Sequence, residues 1–198
     1  NAQPFVKRLQ EYAPIENISR LNTQSTDKEI KGIVDVISHS TQTIIAIFSD
    51  KKEEIQLAEK ILKKATGKVL VFFTSPYSIP KYEELTAEAE AIIVAYENNP
   101  VMQECAAEVL FGGTSADGKL PVSTGKYPQG SGIFIPECRL GHAFPEEVDM
   151  DSRILSHIDS IVQEGIDSMA FPGCQIIITC HKKIIYDRAF GYFDYEKK

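Results

Sequence analysis

The run Gly113-Thr114-Ser115-Ala116-Asp117-Gly118-Lys119 fills the first seven places of a phosphate-binding loop. Such a loop wraps backbone N–H groups around phosphates, and its eighth residue offers a hydroxyl to magnesium. Here the eighth residue is Leu120, followed by Pro121, and the run comes after a helical stretch instead of a strand. A plain turn is the expectation. His39, His142, His157 and His181 are scattered, without a pair at helical spacing beside a glutamate, so a metal site is not expected. Cys105, Cys138, Cys174 and Cys180 form no Cys-x-x-Cys pair. Cys174 and Cys180 fall on one side of a strand-like run, about 20 Å apart at about 3.3 Å per residue, too far to bridge. Buried, unbridged thiols are the expectation. Glu53-Glu54 and Glu83-Glu84 stand near helix starts, where the dipole favours carboxylates; catalysis by such a pair needs a second group at a set separation. Asn17-Ile18-Ser19 is a glycosylation sequon. Gly-x-Ser-x-Gly is absent, and a serine-nucleophile reading is set aside.

The elements that must position these groups follow from apolar spacing. Phe5, Leu9 and Tyr12 mark a short helix from Pro4. Ile15 to Leu21 is read as an edge strand. Ser25-Thr26-Asp27 caps a helix to His39 with Ile30, Ile33, Val34 and Ile37 on one face. Thr43–Phe48, Val69–Phe73 and Ala91–Tyr96 are continuous apolar runs, as buried parallel strands require. Helices at 52–65, 82–89 and 102–111 separate or follow them. This alternation predicts right-handed crossovers and a parallel sheet. Because a helix comes before the first buried strand, a strand further upstream is expected. The carboxyl ends of the strands make Asp50, Ser75 and Tyr96 to Asn99 the natural crevice residues.

From Thr114 to Pro145 the periodicity is lost. A helix then opens at Asp151, with Ile154, Leu155, Ile158, Ile161, Val162 and Ile166 recurring at helical spacing. Cys174–Cys180 and Ile184–Phe190 read as a hairpin around His181-Lys182-Lys183. The fold expected is α/β: a three-layer α/β/α sandwich over 3–123, an extended linker over 124–150, and a helix-plus-hairpin stub over 151–198. A helix and two strands are too little for an independent domain.

Composition narrows the function classes. The chain has 198 residues, 43% of them apolar, and carries 21 Lys+Arg against 28 Asp+Glu, a formal charge of -7. Without a basic stripe, nucleic acid and anionic membranes are not expected partners. No apolar run approaches the length of a membrane span. The start, Asn1-Ala2-Gln3-Pro4, reads as a trimmed end carrying a two-residue vector scar.

Two stretches resemble known families. Ala95-Tyr96, then Ala106-Ala107-Glu108-Val109-Leu110-Phe111-Gly112, then Gly118-Lys119-Leu120-Pro121-Val122 resemble the end of the C-terminal α/β sandwich domain of family 3 glycoside hydrolases, over residues 3 to 145. Phe171-Pro172-Gly173-Cys174 and Ala189-Phe190-Gly191-Tyr192 resemble the opening of a serine β-lactamase-like domain, whose Ser-x-x-Lys nucleophile normally comes further along. Arg139-Leu140-Gly141-His142 to Glu146-Glu147 resembles the junction where these domains are fused in bacterial β-N-acetylglucosaminidases.

The resemblance implies a piece without catalytic residues of its own. The family's nucleophilic Asp lies on an N-terminal TIM barrel. The matching place for the acid/base glutamate of β-glucosidase members, Phe48-Ser49-Asp50-Lys51-Lys52, runs straight into a helix. That points to the N-acetylglucosaminidase type, whose acid/base is on the barrel. Expected partners are therefore the barrel and the serine-hydrolase domain of a parent chain, with glycan bound by the parent only. No catalytic, cofactor-binding or metal residue and no cofactor is assigned. The parent is expected to be periplasmic or secreted. Self-association through unpaired edges of the hairpin is also expected. The alternative reading is a stand-alone α/β module binding a small ligand such as a sugar.

Overall fold

The computed structural model describes residues 3–196. The chain divides into two compact units, Asn1–Phe111 with Ala116–Ile135, and Gly112–Ser115 with Pro136–Lys198.

In the first unit, helices α1 (Gln3–Tyr12) and α2 (Asp27–His39) precede strand β1 (Thr43–Ile47). Then come α3 (Lys52–Leu62), β2 (Lys68–Phe72), a 3-10 turn at Pro76–Lys81, α4 (Glu83–Ala87), β3 (Ala91–Val94) and α5 (Pro100–Phe111). The strands form one parallel sheet in the order β1-β2-β3, with Thr43 beside Lys68 and Val69 beside Ala91. This is the expected α/β fold. Each crossover carries its chain back through a helix, because parallel neighbours cannot be joined by a tight turn.

The sheet is buried on both faces. Leu70, Val71 and Phe72 have no accessible surface, and alternate residues of β2 serve opposite layers. Leu70 and Phe72 pack with Ile45, Ile47, Ile55 of α3 and Leu85 of α4. Val71 and Phe73 pack with Phe5 and Leu9 of α1 and Ala106 and Ala107 of α5. Phe5 meets Phe73 edge-on at 5.3 Å. Helix α2 lies in the layer of α3: its Ile33 and Ile37 close on Ile61 and Ala65, and Leu62 touches this cluster and the sheet cluster alike. The start of α2 is fixed by a capping box, in which Thr26 Oγ1 accepts from the Glu29 N–H and Glu29 Oε2 accepts from the Thr26 N–H.

Ile15 to Leu21 is irregular, not a strand. Its apolar residues, Ile15, Ile18 and Leu21, recur every third place, so a two-residue repeat cannot put them on one face. Ile15 turns into the cluster beneath β1, Leu21 into the α2–α3 cluster, and Ile18 stays exposed.

The stretch read as a linker is shared between the units. Thr124 is buried and its hydroxyl donates to the Pro76 carbonyl at 2.7 Å. Ala116 bridges Ile135.

In the second unit, β4 (Gly141–His142) runs parallel to the start of β6 (Lys183–Gly191), which pairs antiparallel with β5 (Gly173–Cys180). The edge of β6 is therefore covered at Lys183 and Ile184. The helix read from Asp151 is two helices, α6 (Ser152–Leu155) and α7 (His157–Asp167), joined at Ser156. Of the apolar stripe only Val162 is fully buried, while Ile154 and Ile161 are exposed. The hairpin turns on His181 and Lys182, both at positive φ.

Candidate functional site at the carboxyl ends of the strands

Open α/β sheets bind ligands outside the carboxyl ends of their strands. Here those ends present Ser49 and Asp50 after β1, Thr74 and Ser75 after β2, and Tyr96 to Asn99 after β3. Most of these side chains serve the backbone or a neighbouring charge. Asp50 accepts from Lys81 Nζ at 2.7 Å, and that ammonium holds its carboxyl below the ordinary carboxylate value. Ser49 Oγ accepts from the Lys51 N–H, and the Ser49 carbonyl from the Tyr82 hydroxyl at 2.8 Å. Ser75 caps the 3-10 turn. Asn99 Oδ1 accepts from the Met102 N–H at 2.9 Å, capping α5. Asn98 Oδ1 accepts from Gln103 Nε2 at 2.7 Å.

Two features at this rim are not absorbed by capping. Tyr96 has φ of +63° and is exposed, a conformation bulky residues rarely adopt. Thr74 Oγ1 is buried without a hydrogen-bond partner among the described residues. Burial, then the charges of Glu54, Asp50 and Glu59, push the Tyr82 phenol up to about 12. These groups can hold a polar ligand. They include no nucleophile beside a base and no carboxyl pair flanking a common space, which is what hydrolytic chemistry requires.

The other sequence candidates lie apart from this rim. Glu53 and Glu54 occupy the first turn of α3. Glu83 and Glu84 occupy the first turn of α4, where Glu84 pairs with Lys63 at 2.9 Å and its N–H donates to Glu59. The Gly113–Lys119 run follows α5 and opens no helix. The four histidines stand on α2, β4, α7 and the hairpin turn. Among the described residues no group of three or more His, Cys, Asp or Glu could hold a metal ion. The thiols are not buried as expected: Cys105 and Cys138 are exposed, Cys174 and Cys180 half-buried.

Ser-x-x-Lys does occur, at Ser25–Lys28, Ser49–Lys52, Ser78–Lys81 and Ser123–Lys126, all in the first unit, and the Lys81 amine is held by Asp50. Ser25, Ser49 and Ser123 accept backbone N–H bonds from Asn22, Lys51 and Gln129. None of these bonds brings a lysine amine to a serine hydroxyl, so the tetrads carry no nucleophile reading.

Three polar groups escaped the sequence reading. Gln103 and Glu108 are buried on α5. Gln103 stands at i with Ala106, Ala107 and Leu110 at i+3, i+4 and i+7, so the helical stripe itself marks it. Glu108 accepts from the Tyr12 hydroxyl at 2.6 Å and faces Arg8 Nε at 3.5 Å. In the second unit Asp159 accepts from Tyr186 at 2.5 Å and Arg188 at 2.6 Å, beside a shallow depression of about 640 Å³. Both carboxylates tie elements together.

A larger opening reaches from the rim, at Ser49 and Asn98, along the outer edge of β1. A groove of about 1590 Å³ runs between that edge and residues 13–22, bounded by α1 and by α2 with α3.

No protein-family model, curated protein or solved structure matches the chain. No helix among the described residues is long and apolar enough to cross a membrane.

Proposed function

We propose that this chain is a non-catalytic part of a β-N-acetylglucosaminidase. It combines the C-terminal α/β domain of a family 3 glycoside hydrolase with the opening of a serine β-lactamase-like domain. The observation that carries the reading is the Ala106–Val122 run, with its Ala-Ala, Phe-Gly and Leu-Pro-Val signature, which begins within α5, the helix that follows the last strand of a parallel α/β sheet. The strand-end side chains support it, since Asp50, Ser75, Asn98 and Asn99 are engaged in caps and an ion pair. The thin core of the second unit supports it too: Val162, Ile185 and Tyr186 are buried there, while Ile154, Ile161, Ile177 and Phe193 are exposed. In this reading the hydrolysis of terminal N-acetyl-β-glucosaminides belongs to a TIM barrel on the same parent, acting outside the cytoplasm. The α/β domain buttresses that barrel.

The test is turnover of a chromogenic N-acetyl-β-glucosaminide by this chain and by a version extended to include the barrel. Activity only in the longer protein is the expected result. Turnover by the short chain, abolished by Asp50→Asn, sinks the reading and returns the chemistry to the strand ends.

A further inference from the structure

Strand β1 is an edge of the sheet, with no strand on its outer side among the described residues. In a parallel ladder each residue turns its N–H and C=O to one neighbour, and alternate residues turn to opposite sides. Thr43 N–H donates to Gly67 and the Ile47 carbonyl accepts from Phe73, so Thr43, Ile45 and Ile47 face β2. The amides of Ile44 and Ala46 therefore face the groove. Across it, residues 15–21 make no backbone hydrogen bond to any other described residue. Both walls offer open backbone groups, and Thr43 Oγ1 at the head of β1 is buried without a hydrogen-bond partner among the described residues. At about 1590 Å³ the groove also exceeds the roughly 300–1,000 Å³ of a small-molecule pocket.

The helix layers say what fits. Moving from β1 to β2 to β3, the chain crosses through α3 and α4 on one face. Right-handedness then assigns that face to every step in this direction and the other face to every step back. Helix α2 lies in the α3 layer, so it carries the chain forward to β1, and residues 15–21 lie on the outer side of β1. Helix α1 lies on the opposite face, with α5, so it carries the chain backward, toward residues 15–21. Its own strand must then start nearer β1 than residues 15–21 do, and the position between them is the groove. Helix α1 also begins at the correct end. The Phe5 N–H donates to Gln103, and Gln103 donates to Asn98, just past the carboxyl end of β3. A strand parallel to β1 delivers its carboxyl end there.

We infer that the groove is the seat of a further apolar strand, parallel to β1 and running directly into α1. It pairs with Ile44 and Ala46 on one side and draws residues 15–21 into the sheet on the other. The occupant is polypeptide contiguous with α1, not a small ligand. The inference does not rest on the glycosidase reading and survives its failure.

The test extends the full chain ahead of Asn1 by a Val/Ile segment of about six residues, an ordinary strand length. One control is a Gly/Ser extension of equal length, and another is the Val/Ile segment interrupted by Pro. Backbone amide exchange is read at Ile44 and Ala46, alongside binding of a hydrophobic dye. The apolar extension is expected to slow both amides by about a hundredfold, independently of protein concentration, while the controls leave them fast. Dye binding falls with it. Should the extended chain aggregate, the same segment is added as a free peptide and the same two amides are read. Equal exchange in all versions overturns the inference, as do slow Ile44 and Ala46 amides in the unextended chain.

Discussion

The Phe5 N–H donates to Gln103 Oε1 at 3.3 Å, fastening the first turn of α1 to a side chain of α5. Such first-turn N–H groups have no partner inside their own helix. Gln103 is 2% exposed and passes the linkage on to Asn98 at 2.7 Å. Gln103→Met keeps the volume and removes both bonds. The expected loss is about 1–3 kcal/mol, because buried polar partners are left behind. Chemical denaturation checks it: the midpoint falls at unchanged slope. An unmoved midpoint means that α1 is held by its apolar face and by the Arg8 and Tyr12 contacts to Glu108, with no contribution from Gln103.

The tyrosines set an alkaline limit. Burial first, then hydrogen bonding to Glu108, pushes Tyr12 far above its ordinary value. Tyr82 is pushed up to about 12 by burial and neighbouring carboxylates. Tyr186 is pushed up to about 12 by burial and then by Asp159. Below the ordinary value of 10.0 both folded and unfolded chains keep these protons, so the full stability is present. Above it the unfolded chain ionises first, and stability falls as pH rises through about 12. Denaturation midpoints measured across this range are expected to decline, and Tyr82→Phe to make the decline shallower. A flat profile above pH 10.0 contradicts this assignment.

Gly112 separates two costs that one substitution combines. Its φ is +77°, and a Cβ there lies 2.4 Å from Cys138 Sγ. The Gly112 carbonyl accepts from both Cys138 and Arg139, which holds the cysteine backbone in place. Gly112→Ala is expected to cost about 1–2 kcal/mol for the left-handed backbone, with a steric penalty added. In the double variant with Cys138→Ala only the steric part is recovered. Thermal unfolding of the four proteins measures it, and strict additivity removes the steric claim.

The parallel sheet and its helices were readable because continuous apolar runs and three-to-four-residue stripes are local signals. Val69–Phe73 could hardly be anything but a buried strand. Ile15 to Leu21 is not a strand because its apolar residues recur every third place, and its position depends on the groove beside β1, which no local pattern records. Strand β4 is two residues long and exists through pairing with Lys183 and Ile184, far along the chain. The break at Ser156 replaces one continuous stripe by two short helices. At the strand ends Asp50, Ser75 and Asn99 were nameable from position, but their engagement with Lys81, Tyr77 and Met102 is a matter of three-dimensional neighbours.

The hairpin turn of the second unit offers a stabilising change. His181 and Lys182 sit at φ of +48° and +63°, the left-handed pair that a two-residue hairpin turn demands. Neither side chain favours that region, whereas Asn at the first place and Gly at the second do. Lys182 also pairs with Glu137 at 2.6 Å, and the ion pair is exposed enough to contribute little. His181→Asn leaves that pair intact and relieves the strain at the first position. The expected gain is up to about 1 kcal/mol, read as slower amide exchange along β5 and β6. Lys182→Gly should add to it despite losing the ion pair, because backbone relief outweighs a surface contact. If Lys182→Gly instead speeds exchange at Lys183 and Ile184, the contact to Glu137 outweighs the turn conformation and the ranking is reversed.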